Sequence, residues 1–418
     1  MPPLASLPLS RPPLYPAAYR PLPLRRVRPL GWLRDLLRLQ AAGVTGHLPE
    51  VWPDLCDSSA WLGGTGGEDW ERGPYYCDGL IPLAFLLDDP ALRALASRWV
   101  ECALASADGR GQFGPRTNPD WWSRMIMTKV LAQWHEATGD SRALDLLLRF
   151  FRFQLDSLDE RPLREWAWAR GQENLLTALH VYNLTGEPWL LDLADRLIAG
   201  SADWTHLLAE GGVEEWLRPG APSMQTHGVN VAMGVKAPAI TGLRTGEERH
   251  ARGARRAVEY LLARHGRPDG LFSSDENLHG TAPTTGAELC AIVEFMYSLE
   301  EALRVTGDAF FADALERAAY NALPAAMTPD LWGHQYCSQI NQPLCSVAER
   351  PWSNCRPWTN LYGLEPNFGC CTANLHQGWP KFVRHMILAT PEGGLAVALH
   401  GPCEAEADVA GGGARVRL

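Results

Sequence analysis

Between about residues 80 and 325 the apolar positions recur at helical spacing, in blocks separated by short polar punctuation. Leu190, Leu191, Ala194, Leu197 and Ile198 make one such stripe. Leu289, Ile292, Val293, Met296, Leu299 and Leu303 make another. The punctuation repeats: Thr138-Gly139-Asp140, Thr185-Gly186-Glu187, Thr245-Gly246-Glu247 and Thr306-Gly307-Asp308. Glycine just past a helix suits the left-handed C-cap, and a carboxylate suits the start of the next helix. The turns lie 47, 60 and 61 residues apart, room each time for a pair of helices and their loops. Repeated helical hairpins predict a solenoid or a closed α/α barrel, and a closed barrel gathers the loops of one end around one cavity.

The two ends of the chain read differently. Residues 1–34 contain no Asp or Glu and many Pro and Arg, so Met1 to Pro29 is expected to be extended, along a partner surface or disordered. Gly31 to Ala42 then has helical spacing. After Lys381 the pattern turns to short alternating runs and glycine-rich turns over Gly394 to Leu418, as in β structure. The chain is expected to stop inside a β domain, leaving an edge strand exposed.

Composition narrows the partners. A net charge of −10 argues against nucleic acid and anionic membrane. No apolar run is long enough to span a bilayer, and the N-terminus lacks the apolar core of a signal peptide, so a cytoplasmic protein is the default expectation. A second copy of the chain, as a homodimer, remains a candidate partner. Seventeen tryptophans serve equally as core filler or as the flat faces of a sugar-binding cleft. The loop from Trp61 to Gly79 is rich in Gly and aromatics. Trp70, Tyr75, Tyr76, Glu71, Arg72 and Asp78 there suit a sugar pocket as well as they suit a packed loop with surface charges.

The reactive residues cluster late. Cys370 and Cys371 are adjacent in the run Asn367 to His376, after Gly369, which permits close backbone approach. Adjacent cysteines can be core thiols, a vicinal disulfide or two metal ligands. Glu288 and Cys290 would complete a Cys₃Glu set of the kind Zn²⁺ prefers. Thr285 to Glu288 also reads as a capping box for the helix from Leu289. Glu288 and Cys290 point in different directions on a regular helix, so both reach one ion only where the helix entry is irregular. Just upstream, Asp275-Glu276 offers a loop carboxylate for general acid/base work, or a solvated pair. Gln225 to Asn230 is a polar cluster around His227, a residue more often structural than catalytic in such a setting.

Together these segments resemble the family 127 glycoside hydrolases, whose founding activity is β-L-arabinofuranosidase. The matching pieces are WERGPYYCDGLIPLA, RGQENLL, THGVNVAMG, GLFSSDENLHG, TTGAELCAIVEFM, ALRVTGDAFFADALERAAYNAL and NFGCCTAN, in the family's order and spanning most of residues 25–418. The resemblance implies a mainly α fold, a six-hairpin (α/α)6 barrel followed by β-sandwich structure. The expected organisation is an arm over 1–30, a catalytic barrel over 31–385 and a truncated sandwich domain over 386–418. It implies zinc on Glu288, Cys290, Cys370 and Cys371, with Cys370 as nucleophile and Glu276 as acid/base. His227 matches a sugar-contacting histidine, and the expected substrate-binding set is His227, Trp70, Asp78 and Tyr336. Lys129 and Gln172 stand where the family has other sugar-contacting histidines, so the glycone is β-L-arabinofuranose-like or a rarer sugar on an oligosaccharide or glycoside. The competing expectations are a non-catalytic zinc protein that binds carbohydrate or is purely structural, and an α/α-barrel lyase or epimerase.

Overall fold

The computed structural model describes residues 9–218, 223–409 and 412–418, so residues 1–8 of the expected arm lie outside the described residues. The fold is mainly helical. The buried helices Arg72–Leu86, Trp121–Thr138, Gly171–Thr185, the pair Gly228–Gly234 and Ala237–Thr245, Leu289–Thr306, and the pair Gly369–Asn374 and Gly378–Arg384 pack side by side in chain order, and the last closes on the first. This closed ring is the inner wall of an (α/α)6 barrel. Pro90–Ala105, Ser141–Ser157, Trp189–Gly200, Gly253–His265 and Ala309–Arg317 lie outside it, each burying one apolar stripe. The sixth hairpin is completed from the other end of the chain by Gly31–Ala42 and Val44–Val51. Gln40 donates to the His376 carbonyl at 2.9 Å, and the Thr45 hydroxyl bonds His376 Nδ1 at 2.7 Å.

All four Thr-Gly-acid turns end helices as expected. Gly139, Gly186, Gly246 and Gly307 have φ between 67° and 76°, and each donates its N–H to the carbonyl four residues back. The threonine hydroxyls also donate to the carbonyl four residues back and accept from the N–H two residues on. Asp140 and Asp308 cap the next helix, accepting from Arg142 and Phe310 N–H at 3.0 Å. Glu247 makes no side-chain cap bond, and after the second turn the N-cap is Pro188, with Glu187 accepting from the Trp189 indole N–H at 3.0 Å. Aspartate is the strong capping residue of the two because its short side chain reaches the N–H two positions on.

The N-terminal arm crosses these turns. Tyr15 N–H donates to Leu243 O, and Ala18 and Tyr19 donate to Val305 O and Arg304 O, at 2.8–2.9 Å. These are last-turn carbonyls that the helices cannot satisfy themselves. Leu14, Ala17, Leu22, Leu24 and Val27 are buried. Further on, Arg20–Pro21 pairs antiparallel with Ile387–Ala389, which pairs with Leu395–Val397. Val27–Pro29 pairs with Cys403–Val409, which pairs with Gly412–Arg417. The late β segments are thus joined through the arm into two three-stranded sheets.

A second ring, of charges, lies inside the inner helices. In chain order they contribute Asp78, Lys129, Glu173, Lys236, Glu294 and Lys381, alternating in sign and all buried. Lys129 Nζ lies 3.1 Å from Asp78 and 3.0 Å from Glu173, Lys236 pairs with Glu173, and Lys381 donates to Asp78 at 2.7 Å. Glu294 accepts from Asn374 and Gln377, both at 3.0 Å. The three ammonium groups lie 3.8–5.1 Å from the centre of the Tyr297 ring. Three cations balance three anions, which is what makes their burial tolerable.

This ring corrects the expectation for Asp78. Asp78 is fully buried, and Lys129, Lys381 and the Gln133 amide (2.6 Å) take up its oxygens, so it has no surface to offer a sugar. Burial alone would raise its carboxyl, but Lys129 and Lys381 outweigh that and hold it at about 2. Lys129, placed by the resemblance at a sugar-contacting position, is a member of the same ring. Tyr76 is likewise buried and donates to the Thr45 carbonyl.

Candidate active site

Opposite the arm, the N-termini of the inner helices converge. The residues at their N-caps are Glu71, Asp120, Arg170, His227, Glu288 and Phe368. Helix N-termini carry a partial positive charge and unpaired N–H groups, so this end of the barrel favours anions.

Glu288 and Cys290 reach the same point because the helix entry is irregular. Gly286–Glu288 is a strand paired with Cys337–Gln339 and touching Ser274–Asp275; the chain turns at Glu288 (φ −67°, ψ 138°) directly into Leu289–Thr306. The capping box is not formed. Glu288 is itself the N-cap and makes no cap bond, while the Thr285 hydroxyl donates to Ala282 O. The Glu288 carboxylate points across to Gly369–Asn374 instead. The Cys370 and Cys371 thiols both lie 3.6 Å from its Oε1. Gly369 is tightly enclosed, since a Cβ there would sit 2.5 Å from the Trp52 ring and 2.6 Å from the Arg72 guanidinium carbon.

The ligating atoms of Glu288, Cys290, Cys370 and Cys371 all lie within 4.8 Å of one another. The residues fit a metal ion on two counts. A tetrahedral zinc shell, with Zn–S of about 2.3 Å and Zn–O of about 2.0 Å, sets sulfur and oxygen about 3.5 Å apart, close to the spacing seen here. Glu288 Oε2 is buried without a hydrogen-bond partner, a costly arrangement for a carboxylate unless a cation takes it up. All ten cysteines are free thiols, so the vicinal disulfide is not formed. The three thiols are unequal. Hydrogen bonds from Cys290 and Cys371 hold Cys370 well below the ordinary thiol range, aided by His227 and Arg170, whereas burial pushes Cys290 and Cys371 up.

A second group shares Glu288: the nearest atoms of His227, Glu276 and Glu288 also lie within 4.8 Å of one another. Glu276 is the tip of a tight hairpin in which Ser274 pairs with Leu278 and Asp275 with Asn277. Its φ is +74°, unusual for glutamate and a mark of local strain. The Gly228 N–H donates to its carbonyl at 2.8 Å and pins the tip to the barrel. Burial raises the Glu276 carboxyl to about 7, against a hydrogen bond from Tyr336 and with help from the charges of Cys370 and Asp275. Asp275 is fully buried and accepts from Ser353 Oγ at 3.0 Å and Asn354 N–H at 3.2 Å, and it bonds His279 Nδ1 at 2.9 Å.

The wall beyond His227 is aromatic and cationic. His227 is held neutral by burial, at about 3. Trp166 packs edge-on against it at 5.0 Å, and Trp70 packs on Trp166 while donating to Asp120 at 2.8 Å. Arg170 lies between the Trp122 and Trp166 rings, 4.4 and 4.5 Å from their centres. It donates to Asn230 at 2.7 Å and Glu71 at 3.2 Å. Burial pushes Glu71 up to about 8, opposed by Arg170 and reinforced by Cys370.

Of the residues singled out from sequence, Glu276, Glu288, Cys290, Cys370, Cys371, His227 and Tyr336 come together, and Trp70 stands behind them. Asp78 does not join them. Arg170, Trp122 and Trp166 were not expected. The available signal was positional: each sits at or near the start of an inner helix, as Glu288 and His227 do.

A family model described as the β-L-arabinofuranosidase, GH127 catalytic domain, matches residues 87–384. No curated protein sequence matches the chain. Among solved structures, one named as a glycoside hydrolase is 14% identical with a TM-score of 0.74, covering 98% of this chain and 68% of its own. A GH127 β-L-arabinofuranosidase from Geobacillus stearothermophilus T6 is 16% identical with a TM-score of 0.71, covering 94% and 70%. A second GH127 β-arabinofuranosidase is 14% identical with a TM-score of 0.69, covering 94% and 66%. At these identities the likeness to solved structures is one of fold, and the family rests on the match to its catalytic domain over most of the barrel. On that match, the chain belongs to the glycoside hydrolases of family 127.

Proposed function

We propose that this chain is a retaining exo-glycosidase that uses Cys370 as nucleophile and Glu276 as acid/base on a zinc-containing centre. Its substrate on this reading is a terminal β-L-arabinofuranose-like or rarer sugar on an oligosaccharide or glycoside. The observation that carries the reading is the pair of clusters sharing Glu288: four metal-ligating side chains on one side, Glu276 and His227 on the other.

Glu288, Cys290, Cys370 and Cys371 would hold the ion. Bound zinc keeps thiols ionised at neutral pH and spreads their charge. The residues then divide the work. Glu276, protonated below about pH 7, donates its proton to the glycosidic oxygen as that bond breaks. Cys370 Sγ forms the new bond to the anomeric carbon, giving a thioglycoside and a free alcohol. Glu276, now a carboxylate, takes a proton from water; that water's oxygen displaces the sulfur and regenerates the thiolate. Two inversions give net retention. On this reading neutral His227 and the Tyr336 phenol would bond sugar hydroxyls. Asp275 is occupied by Ser353, Asn354 and His279, which favours Glu276 as the acid.

A purely structural Cys₃Glu centre has no use for a second carboxyl poised near neutrality beside its thiols, and Glu276 supports the catalytic reading over that one. The test is a screen of nitrophenyl glycosides, both arabinofuranosides included, with and without added zinc. It is followed by peptide mapping after a mechanism-based sugar epoxide or haloacetamide. The expected label is on Cys370. Label on Glu276, Glu288 or Cys371, an inverted product by NMR, or no turnover of any glycoside by the zinc-loaded protein would overturn the reading.

A further inference from the structure

An acid that protonates the glycosidic oxygen marks the side on which the leaving group departs. Around Glu276 that side is defined by two neighbours from other segments. The Tyr336 carbonyl accepts from the Leu289 N–H at 2.8 Å, next to Glu288, and Tyr336 and Arg356 both act to lower the Glu276 carboxyl. From Tyr336 a row of rings leads outward. Tyr336 packs edge-on against Phe368, with centroids 6.0 Å apart. The Arg356 guanidinium lies 4.9 Å from the centre of Phe368 and 5.7 Å from that of Trp358. Phe368 is two residues before Cys370, and its carbonyl oxygen is 4.0 Å from Cys370 Sγ.

Exposure changes along the row. Tyr336 is 2% exposed, whereas Phe368 and Trp358 are 45% and 39% exposed, and Arg356 is exposed. Large aromatic faces left in water next to a reaction centre, and joined to it without a break, are characteristic of a ligand groove. The occupant must be covalently attached to the glycone, because the row begins at the acid that releases it. It must present a flat C–H-rich face to two rings and hydroxyls to a guanidinium. A pyranose or furanose ring does both, and a short alkyl group does neither.

We propose that Phe368, Arg356 and Trp358 form the aglycone subsite, which stacks the sugar ring to which the cleaved glycone is attached. This rests on the glycosidase reading above. Each aromatic contact is a modest one, so its loss costs about three- to tenfold in affinity.

Two substrates with the same glycone test it, one a methyl glycoside and the other a disaccharide or longer. Trp358→Ala and Phe368→Leu are each expected to lower kcat/KM on the saccharide by about three- to tenfold and to leave the methyl glycoside within about twofold. Metal content, measured in parallel, controls for disturbance beside Cys370. An equal fall on both substrates, or no fall on the saccharide with either variant, overturns the subsite. So does a wild-type dimer that Trp358→Ala converts to monomer at unchanged saccharide turnover, which would assign the patch to a second copy. If the wild-type protein cleaves no glycoside in the screen, the glycosidase reading fails by itself. Saturation-transfer NMR with the saccharide then decides the subsite. Transfer to the sugar protons that is seen with the wild type and abolished by Trp358→Ala supports it, and absence of transfer with the wild type overturns it.

Discussion

Asp78→Asn separates a sugar-binding role from a structural one, because the two assign opposite consequences. In the structure Asp78 is the anion between Lys129 and Lys381, and its other oxygen accepts from Gln133. Its carboxyl lies at about 2 against an ordinary 3.8, despite complete burial. That lowering corresponds to roughly 2–3 kcal/mol in favour of the charged form in the folded protein. A depressed carboxyl stabilises the fold above its unfolded value, and the contribution is lost as pH falls through the folded value. Asp78→Asn is therefore expected to be less stable by about 2–3 kcal/mol at pH 7, with the gap narrowing below about pH 4. Asparagine keeps the shape but leaves three buried cations facing two anions, so the cost falls on the ring as a whole. Urea unfolding followed by tryptophan fluorescence reads the change directly. KM of the folded variant is expected to match the wild type, since no sugar reaches this position. Unchanged stability together with a raised KM would refute the ring argument and restore Asp78 to the binding site.

Purified protein is expected to carry about one zinc per chain, and Cys290→Ala to carry markedly less by elemental analysis under reducing conditions; equal zinc in both would count against the ligand set. For Glu276, kcat/KM is expected to decline above about pH 7 as the raised carboxyl loses the proton it must donate. Glu276→Gln should abolish that limb and slow poor leaving groups by about a hundredfold or more, while activated aryl glycosides suffer less; the same behaviour in Asp275→Asn instead would move the assignment by one residue. Gly369→Ala forces the Trp52 ring or Arg72 to move at the base of the Cys370 segment, and about a tenfold weaker hold on zinc in a chelator competition is expected; unchanged retention would show that the segment absorbs a methyl group freely.

What was legible in the sequence was whatever depends on local pattern. The Thr-Gly-acid turns named their own helix ends, because a left-handed glycine and a short capping carboxylate are requirements of one turn and its immediate neighbours. The Glu288–Cys290 spacing, awkward on a helix, pointed to the strand-to-helix junction that the structure contains. Contacts between distant segments were not legible. Asp78, Lys129 and Lys381 are 51 and 252 residues apart along the chain, and nothing near any of them marks an axial charge. Asp78 therefore read as one more acid in an aromatic-rich loop, when it lies inside the buried helix Arg72–Leu86. Arg170 was hidden for the same reason: its partners Glu71, Trp122 and Asn230 come from three other helix entries.

The placement of the site follows from the charge it must hold. On the proposed reading, three zinc-bound thiolates and a carboxylate would carry −4, which one divalent cation would only half offset, and Glu276 and Glu71 stand close by. Both of these are pushed toward neutrality by burial, to about 7 and about 8, so they add less negative charge than their number suggests. The positive ends of the inner helices surround the cluster, each worth about 0.3–1 kcal/mol to an anion in its first turn. Arg170, fixed between two indole rings, adds a full charge that favours the ionised form of Cys370. The opposite end of the same helices presents carbonyls, and there the chain lays its arm, whose N–H groups are what those carbonyls lack. A thiolate centre at that end would meet the negative ends of the helices. The direction of the inner helices thus favours one mouth of the barrel for the nucleophilic sulfur proposed above and leaves the other to be closed by backbone.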